Sequence, residues 1–119
     1  MAALSIQTIV EAGVTPSYAS CAGGGDTAAN AMGDVLLHVK NGSGGALTVT
    51  VTAQKTTGEV PGMGSLAKSN VAVSVGAGSE EMIGPFGPLA FNNSSGLLAI
   101  TYSGVTSLTI AAIKLPRVA

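Results

Sequence analysis

Charge is what this sequence has least of. Charged residues make up 9% of its 119 positions, and the formal net charge is −1. Between Lys68 and Lys114 the only charged side chains are Glu80 and Glu81. That balance excludes the basic footprint of a nucleic-acid binder. It also leaves little repulsion between copies, which suits a protein that assembles on something. Tryptophan is absent, and Tyr18, Phe86, Phe91 and Tyr102 are the only aromatic rings. The stacking platforms of sugar and single-strand binders are therefore poorly supplied. The single cysteine, Cys21, cannot form an internal disulfide, so the chain reads as made in a reducing compartment. Met1-Ala2-Ala3-Leu4 lacks the basic start and long apolar core of a signal peptide. The longest apolar stretch, 97–113, is interrupted by Thr101, Ser103, Gly104, Thr106, Ser107 and Thr109. It reads as two strands and not as a membrane span.

What is present is strand alternation. The stretch 34–54 organises the rest. Val35, Leu37 and Val39 alternate with Leu36, His38 and Lys40, and Leu47, Val49, Val51 and Ala53 alternate with Thr48, Thr50, Thr52 and Gln54. A period of two places each set on one face of a pleated strand. Asn41-Gly42-Ser43-Gly44-Gly45 between them tolerates the backbone of a reversal, so the pair is expected to form a central hairpin with an apolar inner face and a threonine ladder outside.

The same signals recur along the chain. Residues 1–20 read as an N-terminal arm or edge strand, with Thr15-Pro16 forcing an extended or turning backbone. Residues 21–34, rich in glycine and alanine, are expected to be loop, with one helical turn over 28–32. Residues 56–69 hold Gly58, Pro61, Gly62 and Gly64 and are expected to be a long loop of the kind that makes contacts. Strands are predicted over 69–75, 79–83 and 89–91, and a final hairpin joins 97–103 to 106–115 across Gly104-Val105. Seven to eight short strands with turn signals about every 8–12 residues predict one all-β domain over 1–119, a single antiparallel, jelly-roll-like β-sandwich.

Chemistry-bearing residues are sparse. His38 alternates with Lys40 on the outer face of its strand and has no sequence neighbour to complete a metal or catalytic set, so it is expected at the surface. Cys21 sits in a Gly/Ala loop without a nearby base. Glu80 and Glu81 are adjacent and point to opposite faces of a strand, which disfavours a paired acid and base. Gly23-Gly24-Gly25-Asp26 follows no strand and precedes no strong helix, which argues against a phosphate cradle. Asn41-Gly42-Ser43, Asn92-Asn93-Ser94 and Asn93-Ser94-Ser95 match the glycosylation sequon but read as turn chemistry. Gly84-Pro85-Phe86-Gly87-Pro88 reads either as a rigid turn with Phe86 plugging the core or as an exposed knob for a partner. No catalytic, cofactor-binding or metal residues are assigned. The expected partner-contact residues are Leu4, Ile6, Ile9 and Val10 on the arm, Val60, Pro61, Met63 and Leu66 in the long loop, and Pro85 and Phe86.

Several stretches taken together carry a resemblance: Ala3–Val10, Gly25-Asp26-Thr27, Leu37–Ser43, Ile83-Gly84-Pro85-Phe86, Phe91-Asn92, Gly96, Ile100–Ser103 and Val105–Ala112. The combination resembles a group of small proteins encoded beside the major capsid protein in tailed phages and prophages. The likeness spans nearly the whole chain and rests on turn and strand signatures. It implies a capsid decoration (cement) protein of β-sandwich type, a virion protein on the capsid exterior made in the host cytoplasm. The implied partner is the major capsid protein, bound by a homo-oligomer, with a trimer favoured, and no catalytic residues, cofactor, nucleic acid or membrane. The alternative from another class is a glycan- or receptor-binding β-sandwich module on a phage capsid or tail, which exposed aromatics would distinguish.

Overall fold

The computed structural model describes residues 2–54, 57–60, 62, 64–67 and 69–115, with 57–60 and 64–67 described by their backbone alone. In chain order the elements are β1 (Ala2–Ala3), β2 (Ile6–Thr8), β3 (Ala19–Ser20), β4 (Asp26–Ala29), β5 (Val35–Asn41), β6 (Leu47–Val51), β7 (Thr57–Val60), β8 (Gly64–Ala67), β9 (Val71–Val75), β10 (Glu80–Ile83), α1 (Pro88–Phe91), β11 (Leu97–Tyr102) and β12 (Leu108–Lys114). Two five-stranded sheets face each other as a β-sandwich. Sheet A runs β1-β4-β11-β6-β9. Sheet B runs β10-β5-β12-β2, with β3 beside β2 on the same edge of β12.

The core is the set of inward positions that the alternation marks. Val35, Leu37 and Val39 from β5, with Leu108, Ile110 and Ala112 from β12, meet Val49, Val51, Leu98, Ile100 and Val75 from sheet A in one buried cluster. All eleven are 2% exposed or less. Each large aliphatic side chain so buried contributes about 1.5–3 kcal/mol of transfer free energy.

The connectivity departs from the expectation at both supposed hairpins. β5 and β6 do not pair; β5 lies between β10 and β12, while β6 lies between β11 and β9. Residues 42–46 therefore cross between the sheets, as do residues 103–107 between β11 and β12. Asn41 fixes the first crossing: its Nδ2 donates to Gly45 O and Val75 O, and its Oδ1 accepts from Ser43 N, all at 2.9 Å. Local reversal is thus replaced by layer exchange, and β5 and β6 bring their apolar faces to one buried cluster from opposite layers.

Three local expectations are also corrected. Residues 26–29 form β4, paired with β11, because five residues make no self-sufficient helix while β11 offers a ladder partner. Residues 57–60 and 64–67 are strands that, among the described residues, pair with each other and no other strand, Thr57 opposite Ala67 through Val60 opposite Gly64. Residues 88–91 form one helical turn rather than a strand. Pro88 occupies its first turn, where a fixed φ suits the helix and a missing N–H costs nothing.

The first residues belong to the sandwich itself. β1 runs parallel to β4 at one edge of sheet A, and β2 runs parallel to β12 at one edge of sheet B. Of the arm-or-edge alternatives, the edge strand is the one observed, so the sheets are mixed and not purely antiparallel. Leu4 and Ile6 are half-buried against the core. The link from β2 to β3 is clamped at its base by a reciprocal pair, Gln7 Nε2 to Ser17 O at 2.6 Å and Ser17 N to Gln7 Oε1 at 2.7 Å.

Candidate contact site

The end of the sandwich formed by 30–34 and 84–93 is the most constructed surface. Asn30, fully buried, is its pin. Its Nδ2 donates to Phe86 O at 3.1 Å and to Asn92 Oδ1 at 2.9 Å, its Oδ1 accepts from Val35 N at 3.4 Å, and Asn92 Nδ2 returns a bond to Asn30 O at 2.7 Å. Phe86 and Phe91 pack edge to face with centroids 5.2 Å apart. Gly33, at φ +71°, approaches Pro88 so closely that a Cβ there would lie 2.8 Å from its Cδ. Two exposed apolar side chains flank that contact: Met32, 65% exposed, and Leu89, 87% exposed. Pro85 and Pro88 are exposed beside them. The result is an apolar knob on two loops that the asparagine network ties together. Beside it, a groove of about 320 Å³ is lined by Met32, Ile6, Val35, Asp34 and Lys114.

Against this surface the expected contact residues divide. Phe86 is 4% exposed and plugs the core, so the turn reading holds for it and the knob reading fails. Pro85 remains at the surface. Leu4 and Ile6 are engaged with their own core, Ile9 is half-buried, and Val10 is 54% exposed on the clamped link. Pro61 and Met63 lie outside the described residues, and Val60 and Leu66 are described through their backbone alone. Met32 and Leu89 were missed. The sequence places Leu89 in a strand, where one face is buried; Pro88, two positions after Phe86, is the available signal for a helical turn that throws it outward.

Two polar clusters were also invisible in sequence. On the outer face of sheet B, Tyr18 Oη lies 2.6 Å from His38 Nδ1, and His38 Nε2 lies 2.8 Å from Glu80 Oε1. A carboxylate only accepts, so Nε2 donates to Glu80, and in the neutral imidazole Nδ1 accepts from the phenol. Lys40 Nζ sits 4.1 Å from the centroid of the Tyr18 ring, a cation–π contact. His38 is thus half-buried under Tyr18 rather than free at the surface. Chemically this is a hydrogen-bonded chain from phenol through imidazole to carboxylate; mechanically it fastens Tyr18 across the sheet.

The second cluster lies at the inner end of β4. Asp26 is fully buried; its Oδ2 accepts from Tyr102 Oη at 2.6 Å and from Ala22 N at 3.2 Å, while Oδ1 has no partner. Burial pushes the Cys21 thiol up to about 11; a hydrogen bond with Tyr102 opposes the rise and the Asp26 carboxylate adds to it. Burial, then the bond to Asp26, holds the Tyr102 phenol well above its usual range. A thiol so placed is protonated at neutral pH and a poor nucleophile. Among the described residues, no group of three or more His, Cys, Asp or Glu is placed to hold a metal ion.

No family model matches the chain, and no curated protein or solved structure matches it.

Proposed function

We propose that this protein binds the outer surface of a phage capsid lattice and stabilises it, as a decoration or cement protein, acting by contact and not by catalysis. The observation that carries the reading is the exposed apolar knob of Met32 and Leu89. Apolar groups of that size, held out on pinned loops, lose mainly side-chain and little backbone entropy on docking, and they gain burial that solvent denies them. A small knob makes a weak single contact, and such contacts add up where copies are linked in an oligomer that engages several lattice sites at once. The scarcity of charge fits a partner surface recognised by shape and apolar area. A glycan-binding role is less well supported, because all four aromatic rings are buried or half-buried.

The test is reconstitution. Purified protein added to capsids lacking it is expected to bind at a copy number fixed by lattice geometry and to raise their resistance to heat or chelation. Leu89→Asp, exposed in the free protein, is expected to leave the fold intact and abolish that binding. Unchanged capsid binding by Leu89→Asp and Met32→Asp together would remove the knob from the reading, and no binding by the native chain would remove the reading itself.

A further inference from the structure

The four outer edges of the sandwich are not alike. In sheet A, β1 is two residues long; in sheet B, β2 is three. β10 carries Glu80 and Glu81. Short strands and edge charges are the devices by which sheets avoid pairing with other chains. β9 has neither. Val71-Ala72-Val73-Ser74-Val75 is five residues without a charge or a proline, and its register with β6 runs one-to-one from Val51 opposite Val71 to Leu47 opposite Val75, so no bulge bends it away. Among the described residues no strand pairs with its other side.

From this contrast we infer that β9 is a joining edge, and that its occupant is β9 of a second copy, antiparallel about a twofold axis at Val73. The strand's own pattern selects that partner. In this register Val71 meets Val75, Val73 meets its own counterpart, and Ala72 meets Ser74. Every inward residue then faces an inward residue, and every outward one an outward one, as sheet pairing with one buried face requires. Val71 and Val73 point towards the core yet are only half-buried, which is what an unfinished edge looks like. The join would complete their cover. Sheet A also supplies a surface without repulsion: its outward residues near the edge are Thr48, Thr50, Ala72, Ser74 and Thr101. Glu80 and Glu81 keep the edge of sheet B from pairing likewise, so the contact is one strand wide and weak, in the range of concentration-dependent dimers. The inference is independent of the capsid reading.

Sedimentation equilibrium on the full chain tests it with two double variants at exposed positions. A72K/S74K places lysine opposite lysine at both outward pairs and is expected to weaken association by about ten-fold or more. A72E/S74K places glutamate opposite lysine in the proposed register only, and is expected to dimerise at least as well as the native chain. Far-ultraviolet spectra and unfolding midpoints matching the native chain confirm that both variants fold. On the native chain, hydrogen exchange at 71–75 is expected to slow as concentration rises. A native chain that stays monomeric at millimolar concentration, a trimer, or equal association by the two variants would overturn the inference.

Discussion

Replacing Tyr102 with phenylalanine removes one oxygen atom and exposes how the buried carboxylate of Asp26 is tolerated. The ring of Tyr102 keeps its place against the core, so no cavity forms. What disappears is the 2.6 Å hydrogen bond to Oδ2 of a side chain that is fully buried and whose Oδ1 already lacks a partner. Only the 3.2 Å bond from Ala22 N would remain. A hydrogen bond to a carboxylate contributes about 1.5–3 kcal/mol, and the loss falls at the upper end when the stranded group cannot reach water. The whole domain is expected to hold about 6–18 kcal/mol at the usual per-residue stability, so Tyr102→Phe should fold. For a chain of this size Tm should drop by roughly 6–12 °C. Urea unfolding of Tyr102→Phe, Asp26→Ala and the double variant gives the coupling directly, expected at about 1–3 kcal/mol because the two groups touch. A Tyr102→Phe cost below about 0.5 kcal/mol, or additive single effects, would refute the assignment of this bond as the support of Asp26.

Other outcomes follow from the same structure. Val51→Asp buries a charge at a position with no exposure and should leave the chain unfolded by circular dichroism, whereas Thr50→Asp on the outward face should fold; equal damage from both would mean the faces are wrongly assigned. The Cys21 thiol should resist alkylation in the native protein and react once urea unfolds it. Its folded-state pKa is raised, so its contribution to stability is complete below the unfolded value and is lost as pH climbs from about 9 towards 11. Tyr102 acts in the same direction, and Cys21→Ala should make the alkaline fall in Tm shallower. Gly33→Ala should cost about 2 kcal/mol or more by urea titration, since alanine is strained at φ +71° and its methyl group would overlap Pro88; a neutral effect would show that the two loops are not locked together. Deleting residues 1–10 strips the edges of β4 and β12 and the cover of Leu4 and Ile6, and should lower Tm and promote aggregation in light scattering.

The sequence by itself determined that the chain is all-β and which residues face inward. Val35, Leu37, Val39, Val49 and Val51 stand at period two, and that period is a property of the strand alone, independent of its neighbours. Turn chemistry was equally local: Asn41 bonds Ser43 N, and Asn93 Oδ1 bonds Ser95 N, two residues on in each case. Which strands pair was decided only in the tertiary structure. β5 and β6 each have one apolar face, and such strands can hide it side by side in one sheet or face to face across two. Residues 42–46 are long and flexible enough for either, so the choice fell to the ladders that β12 and β11 offer. Site geometry was hidden for the same reason. His38 meets Tyr18 and Glu80 from segments 20 and 42 positions away, and Leu89 is thrown outward by a helical turn whose register depends on Phe91 finding the core. Periodicity reports what a residue does to its own strand; contacts made by strands that are distant in the chain are settled by packing.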